Sequence, residues 1–314
     1  MSRHRQRGIA LVTMLLIVAL VSALLYQLIS RHHLTIARTQ QSLGSNSALS
    51  MVLGAEAYAR QILVMSWEQT DGERIDHLEQ PWAEVPEPFE VEDGFLEFVI
   101  VDLHSLFNLN ALQAGDAPEE MQRLQRLLAA LGLEGRIAEL WKDWIDMDDE
   151  ITGFGAEDSQ YLLNDPPYRA ANQLAGDTSE LRLLQEIDQA QVDALLPWVT
   201  VLPADVQAVN VNTANAMTLH AVAPQLELAR AEALAEQPRT FATVESAIAE
   251  IPELNGAQDA LVVQSQFFRI EARAEIGGVR SELVSVVRRD PDDGSITLIS
   301  RDFGKRFASR MRTE

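Results

Sequence analysis

Eight carboxylates and no base fall within residues 143–165: Asp143, Asp146, Asp148, Asp149, Glu150, Glu157, Asp158 and Asp165. Carboxylate oxygens are what hard divalent cations bind, six to eight around a calcium ion. Asp146, Asp148 and Glu150 stand at the first, third and fifth places of an EF-hand-like loop, and Glu157 falls at the twelfth, where a bidentate carboxylate closes the shell. Asp158 follows directly. Ile151 stands where an EF-hand requires glycine, so the loop is not an EF-hand. Two readings remain open: a calcium loop held by Asp146, Asp148, Glu150, Glu157 and Asp158, or a solvated acidic face, the usual meaning of a charge run.

Other chemistries are poorly served. There are no cysteines, which excludes disulfides, thiolate metal sites and cysteine nucleophiles. Paired carboxylates suit acid–base work. Yet His4, His32 and His33 flank an apolar run, and no nucleophile–base pair is suggested, so the expectation is a protein that is not an enzyme. Val209-Asn-Val-Asn-Thr-Ala214, followed by two short helical stretches, looks like a helix-hairpin-helix element, and Phe107-Asn-Leu-Asn-Ala111 faintly echoes its opening. Such an element raises a second possibility, a membrane-anchored binding module for DNA uptake. Residues 206–263 hold seven acids against Arg230 and Arg239, however, and that balance repels phosphate. Asn210 and Asn212 read better as amides bonding the backbone of a turn, and no nucleic acid partner is expected.

Composition bounds the rest. The chain has 314 residues, 47% hydrophobic and 23% charged, with a net charge of −22. That balance excludes a wholly disordered, collagen-like or multi-span membrane protein. Charge is also divided: Arg3, Arg5, Arg7, Arg31 and Arg38 all precede the first acid, Glu56, and the body beyond is strongly acidic. Between the basic residues, an uncharged apolar run extends from Ile9 to Ile29, long enough at 1.5 Å per residue to cross ~30 Å of hydrocarbon. The arginines before it hold the N-terminus in the cytoplasm and send the body outward. Gly8 abuts the run behind the basic leader. Helical spacing of apolar residues continues without proline to Leu63.

Elements that would position the acidic loop follow from pattern. Residues 94–102 alternate as a strand, and residues 266–276 and 279–289 flank Gly277-Gly278, a two-residue hairpin signal. Residues 295–301 make a further strand. Between the first strand and the others, helices are expected at 116–131, 135–145, 177–187, 189–195, 213–222, 226–236 and 243–250. Asp116 and Asp177 open two of them in capping boxes.

A basic leader ending in glycine, an uncharged apolar run and a long amphipathic continuation resemble the type IV pilins and pseudopilins. Trp144-Ile-Asp146-x-Asp148-x-Glu150, Gly155-Ala-Glu157-Asp158-x-x-Tyr161 and Pro167-Tyr168-Arg169-Ala-x-Asn172 resemble the signature of the protein K family of type II secretion minor pseudopilins. The resemblance implies an α+β pseudopilin fold, with a long N-terminal helix packed on an antiparallel sheet that a large inserted α-helical domain interrupts. The implied divisions are a leader (1–8), the membrane and amphipathic helix (9–65), the first part of the β domain (66–105), the insert (106–262), the closing strands (263–303) and a basic tail (304–314). It further implies cleavage between Gly8 and Ile9 by a prepilin peptidase, N-methylation of Ile9, structural calcium in the insert, and the minor pseudopilins I and J as partners. Most pilins have Glu at the fifth residue after cleavage, where this chain has Thr13. That departure is typical of protein K and marks a place at the tip of a pseudopilus. The implied location is the inner membrane, single-pass, with the body in the periplasm, and the implied function is pseudopilus assembly and export of folded proteins.

Overall fold

Helix α1 (Arg3–Glu68) runs unbroken through Gly8 and Ile9 for 66 residues, about 100 Å at 1.5 Å per residue. The computed structural model describes residues 3–69, 74–91, 93–113, 118–305 and 307. The Asp116 cap, the first two residues of the leader and most of the basic tail lie outside the described residues. From Leu11 to Ile29 every side chain of α1 is exposed. Among the described residues, α1 is the one helix long and apolar enough to cross a membrane.

Its C-terminal half is a different surface. Ala48, Val52, Ala55, Ala59 and Leu63 recur at helical spacing and are all buried. The alanines let the helix lie close against the sheet, where Phe98, Ile100, Phe268, Ile270, Ala272, Leu283 and Val287 complete the core.

That sheet contains β1 (Phe89–Val91) and β2 (Gly94–Asp102) from before the helical stretch. Two short strand pairs follow inside that stretch: β3 (Phe107–Asn108) with β4 (Val199–Thr200), and β5 (Val209–Asn210) with β6 (Leu261–Val262), both parallel. The remaining strands are β7 (Phe267–Ile276), β8 (Val279–Arg289) and β9 (Ile296–Asp302). The main sheet has the order β1-β2-β7-β8-β9 and its neighbours are antiparallel. Gly277 and Gly278 both have positive φ (56° and 77°), the conformation that a two-residue hairpin between β7 and β8 needs.

β2 and β7 are neighbours, yet all the other helices lie between them in sequence. These are α2 (Pro118–Ala130), α3 (Arg136–Ile145), α4 (Asp158–Tyr161), α5 (Gln189–Leu195), α6 (Ala216–Val222), α7 (Leu228–Ala235) and α8 (Val244–Glu250). They bury cores of their own. Leu124, Leu127, Leu128, Trp141 and Trp144 centre one, and Val211, Leu219, Leu226, Ala231 and Leu254 another. A buried polar knot ties this part to the sheet. Asp102, at the end of β2, accepts hydrogen bonds from the Thr213 and Ser265 hydroxyls, both at 2.6 Å. Asp76 accepts from the Ser265 amide at 2.7 Å and pairs with buried Arg289.

Two expectations need correction. Residues 177–187 do not form an α-helix: the Asp177–Glu180 capping box opens only a 3-10 turn (Thr178–Leu183), and Leu184 is already extended. The helix expected from Thr213 begins at Ala216, because Thr213 gives its hydroxyl to Asp102 and Asn215 caps the helix instead.

Candidate metal centre

α3 delivers the acidic loop. Its apolar side chains Ile137, Leu140, Trp141, Trp144 and Ile145 are buried in the helical core. The opposite edge presents Glu139, Asp143 and Asp146 at intervals of four and three residues, one face of a helix. Asp146 is the C-cap, its amide bonded to the Lys142 carbonyl at 3.0 Å, and the chain turns away from it in extended conformation.

The returning loop is fastened to the carboxylates of α3. Asp143 is fully buried, and both its oxygens accept from the Thr152 amide at 3.1 Å. Glu139 accepts from the Phe154 amide at 2.7 Å. A Cβ on Gly155 would stand 2.0 Å from Asp143 Oδ2, so only glycine permits this approach. Glu157 then caps α4, where its amide donates to the Gln160 side chain at 3.0 Å.

This folding gathers Asp146, Asp148 and Glu157, each with one carboxylate oxygen within 4.8 Å of the others. Two oxygens on one calcium ion are separated by at most about 5 Å, given bonds of about 2.3–2.6 Å. The donor set is also unspent: neither side-chain oxygen of Glu157, only 2% exposed, has a hydrogen-bond partner, nor has buried Asp146 Oδ1. Buried polar atoms are normally paired, and the unpartnered oxygens of Asp146 and Glu157 are donors that a hard cation could satisfy.

Electrostatics agrees. Burial pushes the Glu157 carboxyl up to about 7, helped by the charges of Asp143, Asp146, Asp149 and Asp148. Burial likewise raises Asp143 to about 6, against the Thr152 hydrogen bonds that lower it. Asp146 is raised by burial although the Lys142 ammonium, 3.2 Å away, opposes the shift.

Of the five ligands expected from sequence, three therefore converge. Glu150 is exposed, and its amide donates to Oδ1 of Asp148, also exposed, at 2.9 Å. Asp158 is engaged elsewhere, accepting from the Ala170 amide at 3.0 Å and pairing with Arg169 at 2.9 Å. Sequence reasoning missed the fastening roles of Glu139 and Asp143, whose signal was their spacing of four along α3.

The helix-hairpin-helix element turns inward. Asn210 donates to the Ser265 hydroxyl at 2.8 Å and accepts from the Asn212 amide at 2.9 Å. Asn212 exchanges hydrogen bonds with the Phe241 backbone at 3.0 and 2.8 Å. Asn108 and Asn110 repeat the pattern: Asn108 accepts from the Asn110 amide at 3.1 Å, and Asn110 accepts from the Ala175 amide at 3.0 Å. All four asparagines are buried.

Comparison with known proteins follows the same lines. Residues 105–204 match the family model described as type II secretion system (T2SS), protein K. The type II secretion system protein K of Pseudomonas aeruginosa is 35% identical over 96% of this chain and 94% of its own. That of Pectobacterium carotovorum is 33% identical over 88% and 90%. A chain in the crystal structure of the GspK-GspI-GspJ complex from enterotoxigenic Escherichia coli superposes with a TM-score of 0.73 at 27% identity, covering 86% of this chain and 99% of that one.

Proposed function

This chain belongs to the type II secretion system protein K family, and we propose on that footing that it is the subunit at the tip of a secretion pseudopilus. It is a minor pseudopilin, a structural part of the machinery of protein secretion. Residues 9–29 would hold it in the inner membrane before assembly, with Arg3, Arg5 and Arg7 on the cytoplasmic side and the acidic body in the periplasm. A prepilin peptidase would cut between Gly8 and Ile9, and Ile9 would be N-methylated. Its partners would be the minor pseudopilins I and J, by analogy with the GspK-GspI-GspJ complex. Residues 106–262 would then act as one inserted helical domain, too bulky to be stacked in many copies.

The observation that carries the tip reading is Thr13. A Glu at that place neutralises the free amine of a neighbouring subunit inside an apolar bundle, where an unpaired charge costs several kcal/mol. A subunit with no neighbour above it has no amine to neutralise. Thr13→Glu should therefore leave secretion unchanged or lower it. Secretion well above wild type in Thr13→Glu cells would contradict a terminal position.

Asp146, Asp148 and Glu157 would hold calcium, while Glu150 and Asp158 stand outside the converging set. The bound ion would supply charge neutralisation, drawing residues 146–157 against α3. Magnesium suits the set less well, because its bonds of about 2.0–2.1 Å demand a tighter octahedral shell. The role is structural, and the orphaned oxygens of Glu157 support it.

A further inference from the structure

The sequence contains one Asn-Gly pair, Asn255-Gly256, in the segment between α8 and β6. Both residues are exposed. They form the corner of a tight turn: Asn255 has φ −62° and ψ 130°, Gly256 has φ 89°, and the Ala257 amide bonds the Leu254 carbonyl at 3.0 Å. These are the angles of a type II turn, whose third residue needs a positive φ. The Gly256 amide takes no part in the turn's own bond. A Cβ on Gly256 would meet nothing within 4 Å, so that side of the peptide is open.

Gln258 touches both groups of a ring closure. Its Oε1 accepts from the Gly256 amide at 2.8 Å, and its Nε2 donates to Asn255 Oδ1 at 3.0 Å. Those two atoms belong to one planar carboxamide, so they hold the Gly256 nitrogen and the Asn255 carboxamide side by side. Holding reacting groups together removes part of the entropy cost of joining them. Nε2 is also a donor aimed at the oxygen on which negative charge develops when a nucleophile adds to Asn255 Cγ.

We propose that Asn255 is a site of self-modification by deamidation, assisted by Gln258. Hydroxide takes the Gly256 amide proton, and the nitrogen forms a bond to Asn255 Cγ. The Cγ–Nδ2 bond then breaks, and ammonia leaves with a proton from water. A second water opens the succinimide at either carbonyl, giving aspartate or isoaspartate, with no oxidation or reduction at any step. Isoaspartate adds a backbone carbon to the turn between Leu254 and Ala257, both buried. The site goes beyond the pseudopilin reading and does not rest on the cation.

The test uses the full chain in phosphatidylcholine nanodiscs, incubated in mildly alkaline buffer and sampled over time. Peptide mapping by mass spectrometry reads the exchange of amide NH2 for OH at each asparagine, and an isoaspartyl methyltransferase counts isoaspartate. Asn255 should convert at least tenfold faster than any other asparagine, and its rate should rise with pH. Gln258→Ala removes both contacts, and Gln258→Glu keeps an acceptor but loses the donor. Each should slow conversion about fivefold, the effect of one exposed hydrogen bond. Unchanged melting temperatures would show that both variants are folded, as expected for an exposed side chain, and Asn255→Asp sets the background. An Asn255 no faster than the other asparagines, a rate independent of pH, or equal or faster conversion in the folded Gln258 variants would overturn the proposal.

Discussion

A methyl group at position 155 would collide with the Asp143 carboxylate, and a single alanine there should undo the loop that gathers Asp146, Asp148 and Glu157. A cation that binds only the folded chain stabilises it by RT ln(1 + [L]/Kd), about 2.7 kcal/mol at a hundredfold excess over Kd. The wild-type chain should therefore melt higher in millimolar calcium than in chelator. Gly155→Ala, and Asp146→Ala with Asp148→Ala, should lose most of that difference. Glu84→Ala with Glu87→Ala, in the connector before the sheet, should keep it. An equal calcium response in all four proteins would make the acidic run a solvated surface. The pH dependence carries a sign as well. Without calcium, Glu157 has a folded pKa of about 7 against an ordinary 4.5, so the folded chain binds more protons between those values. Its contribution to stability then falls as pH rises from about 4.5 to about 7. Glu56 and Asp177 are shifted the other way, downward, so their effects lie below that window. Melting in chelator should therefore drop between about pH 5 and about pH 7, and saturating calcium should flatten or reverse the trend. Spacing alone picked out Asp146, Asp148 and Glu157, whose carboxylates the fold brings together, because acids close in sequence on one loop can converge. It could not separate them from Glu150 and Asp158, whose directions are decided by the Asp148 turn and the contact with Arg169.

At the scale of elements, α1 is tied to the sheet by one buried charge. Glu56 is fully buried, bonded to Arg301 of β9 at 2.6 and 2.9 Å and to the Ser285 hydroxyl of β8 at 3.0 Å. Burial by itself raises its pKa, and the bonds and charges of Arg301, with Ser285 and Arg60, outweigh that and hold it lowered. Breaking a buried pair costs about 3–5 kcal/mol. Arg301 is partly open to water, so Glu56→Ala should cost about 3 kcal/mol, measured by urea denaturation. A loss under about 0.5 kcal/mol would show that alanine packing alone seats the helix. Strand β2, strand β8 and helix α5 were legible to the residue, since alternation, a Gly-Gly turn and apolar spacing are local signals. The pairing of β2 with β7 across the helical stretch was readable only as an interrupted sheet. The two-residue strands β3 to β6 were not readable, because their pairings bridge distant residues such as Asn108 and Thr200. Nor was α4, a single turn set by Glu157 and Gln160.

The whole molecule combines three chemically distinct parts: an apolar exposed helix half, a sheet packed on the other half, and an acidic helical mass between β2 and β7. Lys305 reaches from beyond β9 to Asp177 of the helical part, and the Phe307 amide donates to Glu282 of β8 at 3.1 Å. Lys305 and Phe307 thus link the two parts, which composition could not reveal. The pilin-like organisation was legible at this scale because a 21-residue uncharged run behind a basic leader is a statement about length and charge alone. The most direct test of that organisation is the mass of the chain isolated from secreting cells, with and without a prepilin peptidase. The account predicts a chain beginning at Ile9 and carrying one N-terminal methyl group when the peptidase is present, and the unprocessed chain when it is absent. A mature N-terminus beyond Ile29, independent of that peptidase, would contradict it.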